Sequence, residues 1–478
     1  MKRINYILSV IIGLLVTLNV VNAQEVSVSS ELNLRNYFSY EILSQVEDRI
    51  IVYRDKGFIK EIDVFNDEME NTISAEIEFE KKRVDVFSIM GMDSVFQILY
   101  GYFERDSMVI KYRIYDNKVQ LRDSLTLIKI PKTSIRKKFS NVTSEDRNKI
   151  LLSTVDEDDN ILFLMYDCKK RLIEWTKLVY VDDEVARSLN AIELANNGDF
   201  VLILNTKNWF NNKEDLRMML FKPRMRKEQF FSINLDDYSK ATVFLKHDNK
   251  NQNLIISGTY GLKRGKEIKG YFYLCKPVES FREGEVLSYI PFKETFYEEL
   301  LQGKKKKKRV LNDLTIQDII LRNDGGLVFV SEIEREYSRR NPYNGYTRVS
   351  DGFARRGWVD YYNDDIIITN FNPDGSISWN KVLYKKQFSQ DDDGIFSSFF
   401  VMKTPSRLRF IYNDEIKRNN TVSEYIINPN GTIARNSLLS TEYQDMKLRF
   451  KDAVQISSNS IIVPSEKNYD LNLVRISY

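Results

Sequence analysis

Cysteine is almost missing from this chain of 478 residues, which carries only Cys168 and Cys275. Two thiols allow one bridge at most and cannot form a disulfide framework. Histidine is scarcer, with His247 alone. That excludes a multi-histidine metal site and would make any Ser-His-Asp hydrolase depend on one residue. Neither charge sign dominates: 71 Lys and Arg stand against 68 Asp and Glu, a formal net charge of +3. A neutral total argues against a nucleic-acid partner, although a local basic patch stays open. Beyond the first two dozen residues no apolar run approaches membrane-spanning length. Nine prolines and 42% hydrophobic residues leave enough material for a large core, as two or three domains or one repeat architecture.

The chain opens MKRINYILSVIIGLLVTLNVVNAQEV. Lys2 and Arg3 make a basic start, residues 4–21 an apolar stretch, and Val21-Asn22-Ala23 a small-residue cleavage site before Gln24. The expectation is a signal peptide over 1–23 and an exported mature chain over 24–478, with an uncleaved anchor as the alternative. No cysteine follows the apolar run to carry a lipid. The expected location is the periplasm, the outer membrane or the extracellular space, peripheral to the membrane at most.

Residues 371–379, FNPDGSISW, combine a carboxylate, a tight turn and a tryptophan between two alternating apolar runs. Asp-Gly in that setting is a hairpin signal, and comparable hairpins recur along the chain. Their opening polar residues are Asn66, Asp116, Asp167, Lys222, Lys276, Asn372 and Asn428, at intervals of 50, 51, 55, 54, 96 and 56 residues. In the Lys222 and Lys276 copies a Lys-Pro pair does the turning. Four short strand patterns per interval predict an all-β protein, a single β-propeller of eight four-stranded blades, with seven as the alternative. The last unit has three strand patterns, and residues 25–32 supply a fourth. Pairing of residues 25–32 with residues 471–477 would close the ring and remove an open edge. Cys168 and Cys275 then fall in third strands of blades 3 and 5, too far apart to bond.

The Gly375-x-x-x-Trp379 spacing resembles the repeats of eight-bladed quinone-dependent dehydrogenase propellers and of the outer-membrane assembly propeller. Trp175, four residues after Arg171, occupies the corresponding place in blade 3. The resemblance implies a tryptophan that docks one blade on the next. It covers two blades strongly and the others by period alone. It does not extend to the dehydrogenases' cofactor, because the chain lacks an adjacent cysteine pair and any recognisable quinone or calcium ligands. The stretch is also similar to the sialidase Asp-box, with Gly375 one place early. No cofactor, metal or catalytic residue is expected.

Other chemistry-like segments read as structural. His247 is expected in an exposed turn, FLKHDNKN, and Asp374 as a turn former. GTYGLKRGKEIKG is one residue short of a phosphate loop and lacks its Ser or Thr. SQDDDGIF fails the calcium-loop pattern, leaving only a looser cation site on Asp391 and Asp393.

The 96-residue interval holds two insertions. The first, about 292–312, joins blades 5 and 6 through a short helix and a lysine run. The second, about 337–363, is expected as a long loop between strands two and three of blade 6. Long loops in compact folds are usually functional or disordered. With the corresponding loops of blades 4 and 5, they predict a basic and aromatic partner surface over blades 4–6. It would comprise Lys304, Lys305, Lys306, Arg339, Arg340, Tyr343, Tyr346, Arg355, Arg356, Trp358 and Trp209. The function expected is a non-catalytic envelope binding or scaffold protein whose partner is an envelope protein or acidic glycan. The alternative is a carbohydrate enzyme using carboxylates at the central channel.

Overall fold

The computed structural model describes residues 25–180, 189–208, 213–223, 227–235, 238–262, 267–301, 311–339, 358–414, 421–440 and 446–478. These residues form eight four-stranded blades in a ring, an eight-bladed β-propeller. Blade 1 consists of Ser39–Val46, Arg49–Asp55, Lys60–Phe65 and Asn71–Glu76, paired antiparallel in that order. First strands of successive blades adjoin around the axis, and Ser39–Val46 of blade 1 meets Val454–Gln455 of blade 8.

Burial explains the sequence pattern. Strands two and three are covered on both faces and read as nearly continuous apolar runs, as in RIIVYRD and VFQILYGYFE. Fourth strands lie at the rim and alternate, as in NTISAE. The core is divided into eight apolar clusters, one for each pair of neighbouring blades. Cys168 and Cys275 are both free thiols, the first buried and the second partly so. Burial drives the Cys168 thiol up to about 12.

All seven turns named from the sequence fall at the ends of third strands, before the fourth. Their polar openers do backbone work: Asp116 Oδ1 accepts the N–H groups of Lys118 and Gln120, and Asn66 Oδ1 that of Glu70. Blade 5 departs from a simple hairpin. After Lys276-Pro277 the chain makes a 3-10 turn over Val278–Ser280. Glu285–Val286 then pairs parallel with the outer strand of blade 4 before Ser288–Pro291 forms strand four.

The N-terminus closes the ring. Glu25–Val28 pairs antiparallel with the last strand, Glu25 opposite Ser477 and Val28 opposite Val474, and Leu32 lies opposite Leu471. The strand breaks around Ser29, whose hydroxyl accepts the Leu473 N–H at 2.9 Å while its own N–H donates to the Leu473 carbonyl. Leu32, Leu34, Ile42 and Leu473 share the cluster between blades 8 and 1. Deleting residues 24–33 should lower the melting temperature and cause concentration-dependent aggregation, because it uncovers both that cluster and a strand edge. A deletion variant that stays monomeric and melts like the intact chain would show that closure does not depend on this strand.

Candidate partner-binding face

Strands alternate in direction, so connections between blades and hairpins between strands two and three emerge on one face. The strongly exposed aromatic residues among those described are Phe38, Phe58, Phe103, Tyr180, Tyr337 and Tyr469. Every one is on that face. Phe38 lies in the link from blade 8 to blade 1, Phe58 on the blade 1 hairpin, and Phe103 at the top of strand two in blade 2. Tyr180 opens the link to blade 4, Tyr337 stands on blade 6, and Tyr469 turns between the second and third strands of blade 8. Exposed aliphatics such as Leu121, Leu125 and Ile433 belong instead to outer strands.

Phe38, Phe58 and Phe103 border one cleft of about 890 Å³ between the tops of blades 1 and 2, with Tyr102, Phe87 and Phe139 deeper. The hairpin presenting Phe58 is held by Lys60, a buried lysine whose ammonium donates to Asp55 Oδ1 and the Gly57 carbonyl, both at 2.6 Å. The Gly57 N–H also donates to Asp55 Oδ1, at 2.7 Å. Gly57 has φ +81°, and a Cβ there would meet the Phe38 ring at 2.9 Å, so only glycine lets that ring lie on the turn. Arg83 sits 5.5 Å over the Phe58 ring. Lys81, Lys82 and Lys138 complete the basic rim, all exposed. None of the three has an ion-pair partner among the described residues. No insertion marks these positions; single phenylalanines in short loops left only weak traces in the sequence.

Of the residues expected at the partner surface, Trp209, Lys304, Lys305, Lys306, Arg340, Tyr343, Tyr346, Arg355 and Arg356 lie outside the described residues. Arg339 and Trp358 are placed by backbone and face each other at the end of a β-arm. This corrects the expected loop over 337–363. Leu327–Arg339 and Trp358–Phe371 are continuous paired strands, with Tyr337 opposite Asp360, so the flanks of that segment are sheet. The arm persists because Gln387–Gln390 adds a further strand along Asp360–Asn363. The expected short helix of the first insertion is present as Glu294–Leu300, with Phe296 and Leu300 buried in the cluster between blades 5 and 6.

A buried polar network roots the arm. Lys385 and Glu332 are both fully buried and 2.5 Å apart. The ammonium also donates to the Asn363 carbonyl at 3.0 Å and to Gln387 Oε1 at 2.7 Å. Glu332 Oε2 accepts from the Ser398 hydroxyl at 2.6 Å and from Asn363 Nδ2 at 3.2 Å. Gln387 Nε2 donates to the Asn413 carbonyl of blade 7, and Asn413 Nδ2 to the Leu448 carbonyl of blade 8. Desolvation lowers the lysine's pKa against the opposing pull of Glu332.

The remaining candidates resolve into structural roles. Asp374 Oδ1 accepts the Ser376 N–H and hydroxyl, which together hold its pKa below the ordinary value. Asp391 and Asp393 fasten the arm: Asp391 Oδ1 accepts the Val359 N–H at 2.8 Å, and Asp393 Oδ1 the Tyr361 hydroxyl at 3.3 Å. No trio of acidic, histidine or cysteine side chains among the described residues is arranged for a metal. Trp379 docks blade 6 on blade 7, its indole N–H donating to the Pro429 carbonyl at 3.2 Å. Trp175 packs on Phe200 and Phe221 of blade 4 at centroid distances of 5.9 and 4.8 Å. Along the channel, Asp318 pairs with Lys403 at 2.8 Å and Glu193 accepts the His247 N–H at 3.1 Å. Glu41, beside Tyr40 and Arg449 in a cavity of about 530 Å³, has a pKa raised by burial.

His247 is a correction. It is not in an exposed turn but near the end of the strand Tyr238–Asp248, only 3% exposed. The strand's alternation puts it on the side of Leu245, against blade 4, and the polar letters of FLKHDNKN conceal this. Burial lowers its pKa although the Asp199 carboxylate opposes the shift.

Two measurements follow from these buried groups. Lys385→Met should cost about 3–5 kcal/mol, since it strands a buried carboxylate, and adding Glu332→Gln should recover much of that. A single variant as stable as the parent in denaturant titration would mean that the pair is not desolvated. For His247, the folded ring resists a proton that the unfolded chain accepts near pH 6.5, so its stability contribution is full above that pH and lost as pH falls below it. The melting-temperature advantage of the parent over His247→Leu should therefore shrink from neutral to mildly acid pH; a constant difference contradicts a buried neutral ring.

No protein-family model matches the chain, and no curated protein does. Among solved structures it is similar to the Dos1 propeller, at 8% identity over 94% of each chain and a TM-score of 0.47. Porphyromonas gingivalis dipeptidyl peptidase 4 matches at 12% identity, covering 89% of this chain and 56% of that one, with a TM-score of 0.45. The dihydro-heme d1 dehydrogenase NirN matches at 10% identity over 90% and 68%, with a TM-score of 0.37. These likenesses concern the fold alone.

Proposed function

We propose that this β-propeller is an exported cell-envelope protein that binds a partner through its loop-bearing face and acts as a scaffold or adaptor. The observation that carries the reading is the confinement of the exposed aromatic rings to that face. Exposed rings are enriched at binding surfaces, where they bury large area at low entropy cost. The signal-peptide-like first 23 residues support export. The partner surface extends beyond the basic sector over blades 4–6, since Phe38, Phe58, Phe103 and Tyr469 continue it across blades 8, 1 and 2. The alternative, a carbohydrate-cleaving enzyme, would need two carboxylates facing one another across the channel; Asp318 pairs with Lys403 and Glu193 accepts the His247 backbone N–H.

Photo-crosslinking side chains tested one at a time at Phe58, Tyr180 and Tyr337, and at Asn197 and Asn323 on the opposite face, would map the contact in intact envelopes. Adducts should concentrate at the first three positions, with the protein in the envelope fraction. Equal yields from both faces would refute the docking face, and a cytoplasmic protein would refute export.

A further inference from the structure

The cleft over blades 1 and 2 shows a chemistry that the face as a whole does not. Its upper border consists of the rings of Phe38, Phe58 and Phe103, the first two 81% and 61% exposed, supplied by three separate segments. Lys81, Lys82, Arg83 and Lys138 stand around it, with Asp85 as the carboxylate not already committed to Lys60. Lysine and arginine donate hydrogen bonds and accept none. A sugar chain, whose hydroxyls need acceptors as well as a stacking plane, finds few acceptors here. An anionic bilayer would meet rings that border a hollow of about 890 Å³ instead of projecting from a convex tip. Apolar side chains fit between the rings, and carboxylates of the same segment fit the rim.

We infer that this cleft binds an acidic polypeptide segment in which bulky apolar side chains alternate with Asp or Glu. The inference rests on the docking-face reading and narrows it to one site and one partner chemistry. Aromatic anchors set the residence of the segment, and the lysine rim steers it in and makes capture salt-dependent. Lys60 is a positioning residue: through Asp55 and the Gly57 carbonyl it fixes the hairpin carrying Phe58.

The probe is a short fluorescent peptide alternating Asp with Phe, followed by anisotropy with the full mature chain. Phe58→Ala and the pair Lys81→Glu, Lys82→Glu should each weaken binding by about 30-fold, the scale of an interface hot spot. Added salt should weaken the parent's binding, and Asn323→Ala, on the opposite face, should leave affinity unchanged. Because Phe58 is mostly exposed, the variant should melt like the parent. Failure of the peptide to bind, or affinity indifferent to both cleft variants, overturns the proposal. So does polygalacturonate or phosphatidylserine vesicles binding more tightly than the peptide through the same residues. Crosslinks at Tyr180 and Tyr337 without any at Phe58 would sink the cleft while leaving the docking face intact.

Discussion

Among the described residues, no blade has a core of its own. Each of the eight apolar clusters is shared by two neighbours, so a blade is buried on both faces only when blades stand on either side of it. An open array would leave two such faces in water. Closure is therefore a requirement of the hydrophobic effect, and the antiparallel pairing of Glu25–Val28 with the final strand supplies it. The tryptophans obey the same constraint. Trp175 and Trp379 sit on fourth strands yet turn sideways onto the next blade, strengthening contacts that no single blade can make.

That division of labour separates stability from function. Buried ladders and inter-blade clusters hold the ring, while the short turns are stiffened by their own Asn and Asp side chains. The connections on one face are then free to carry groups that do not serve folding. Exposed phenylalanines at Phe38 and Phe58 add nothing to a core, and the hairpin carrying Phe58 is rigidified by a lysine buried to 3% exposure. A rigid display of apolar rings reduces the ordering cost of binding.

Blade 6 shows how a blade can be extended by a paired arm and a polar network at its base. Its β-arm leaves the ring and loses the flanking blades that cover ordinary strands. The added strand Gln387–Gln390, the Asp391 and Asp393 contacts and the Lys385–Glu332 network replace that cover. A buried ion pair brings little net stability, and the Lys385 ammonium, 2.5 Å from Glu332, also donates to the Asn363 carbonyl and to Gln387 Oε1. The arm's direction is thereby tied to blades 7 and 8 through Gln387 and Asn413.

The period of the Asn and Asp turns, the apolar runs between them and the spare N-terminal strand pattern were enough to read eight blades, their order and the closing strand. These are local or repetitive signals, and a repeat multiplies each one eightfold. Trp379 as a docking residue and Asp374 as a turn former were legible for the same reason. The sequence misleads at His247, because a polar stretch hides which neighbour a strand face will meet. The stem of the blade 6 arm looks like loop in the sequence, since the strand that supports it comes from residues 387–390, more than twenty positions later. The aromatic cleft had no sequence signature: Phe38, Phe58 and Phe103 lie in different segments, each unremarkable alone. Only the ring, by bringing the tops of blades 8, 1 and 2 together, makes them one surface.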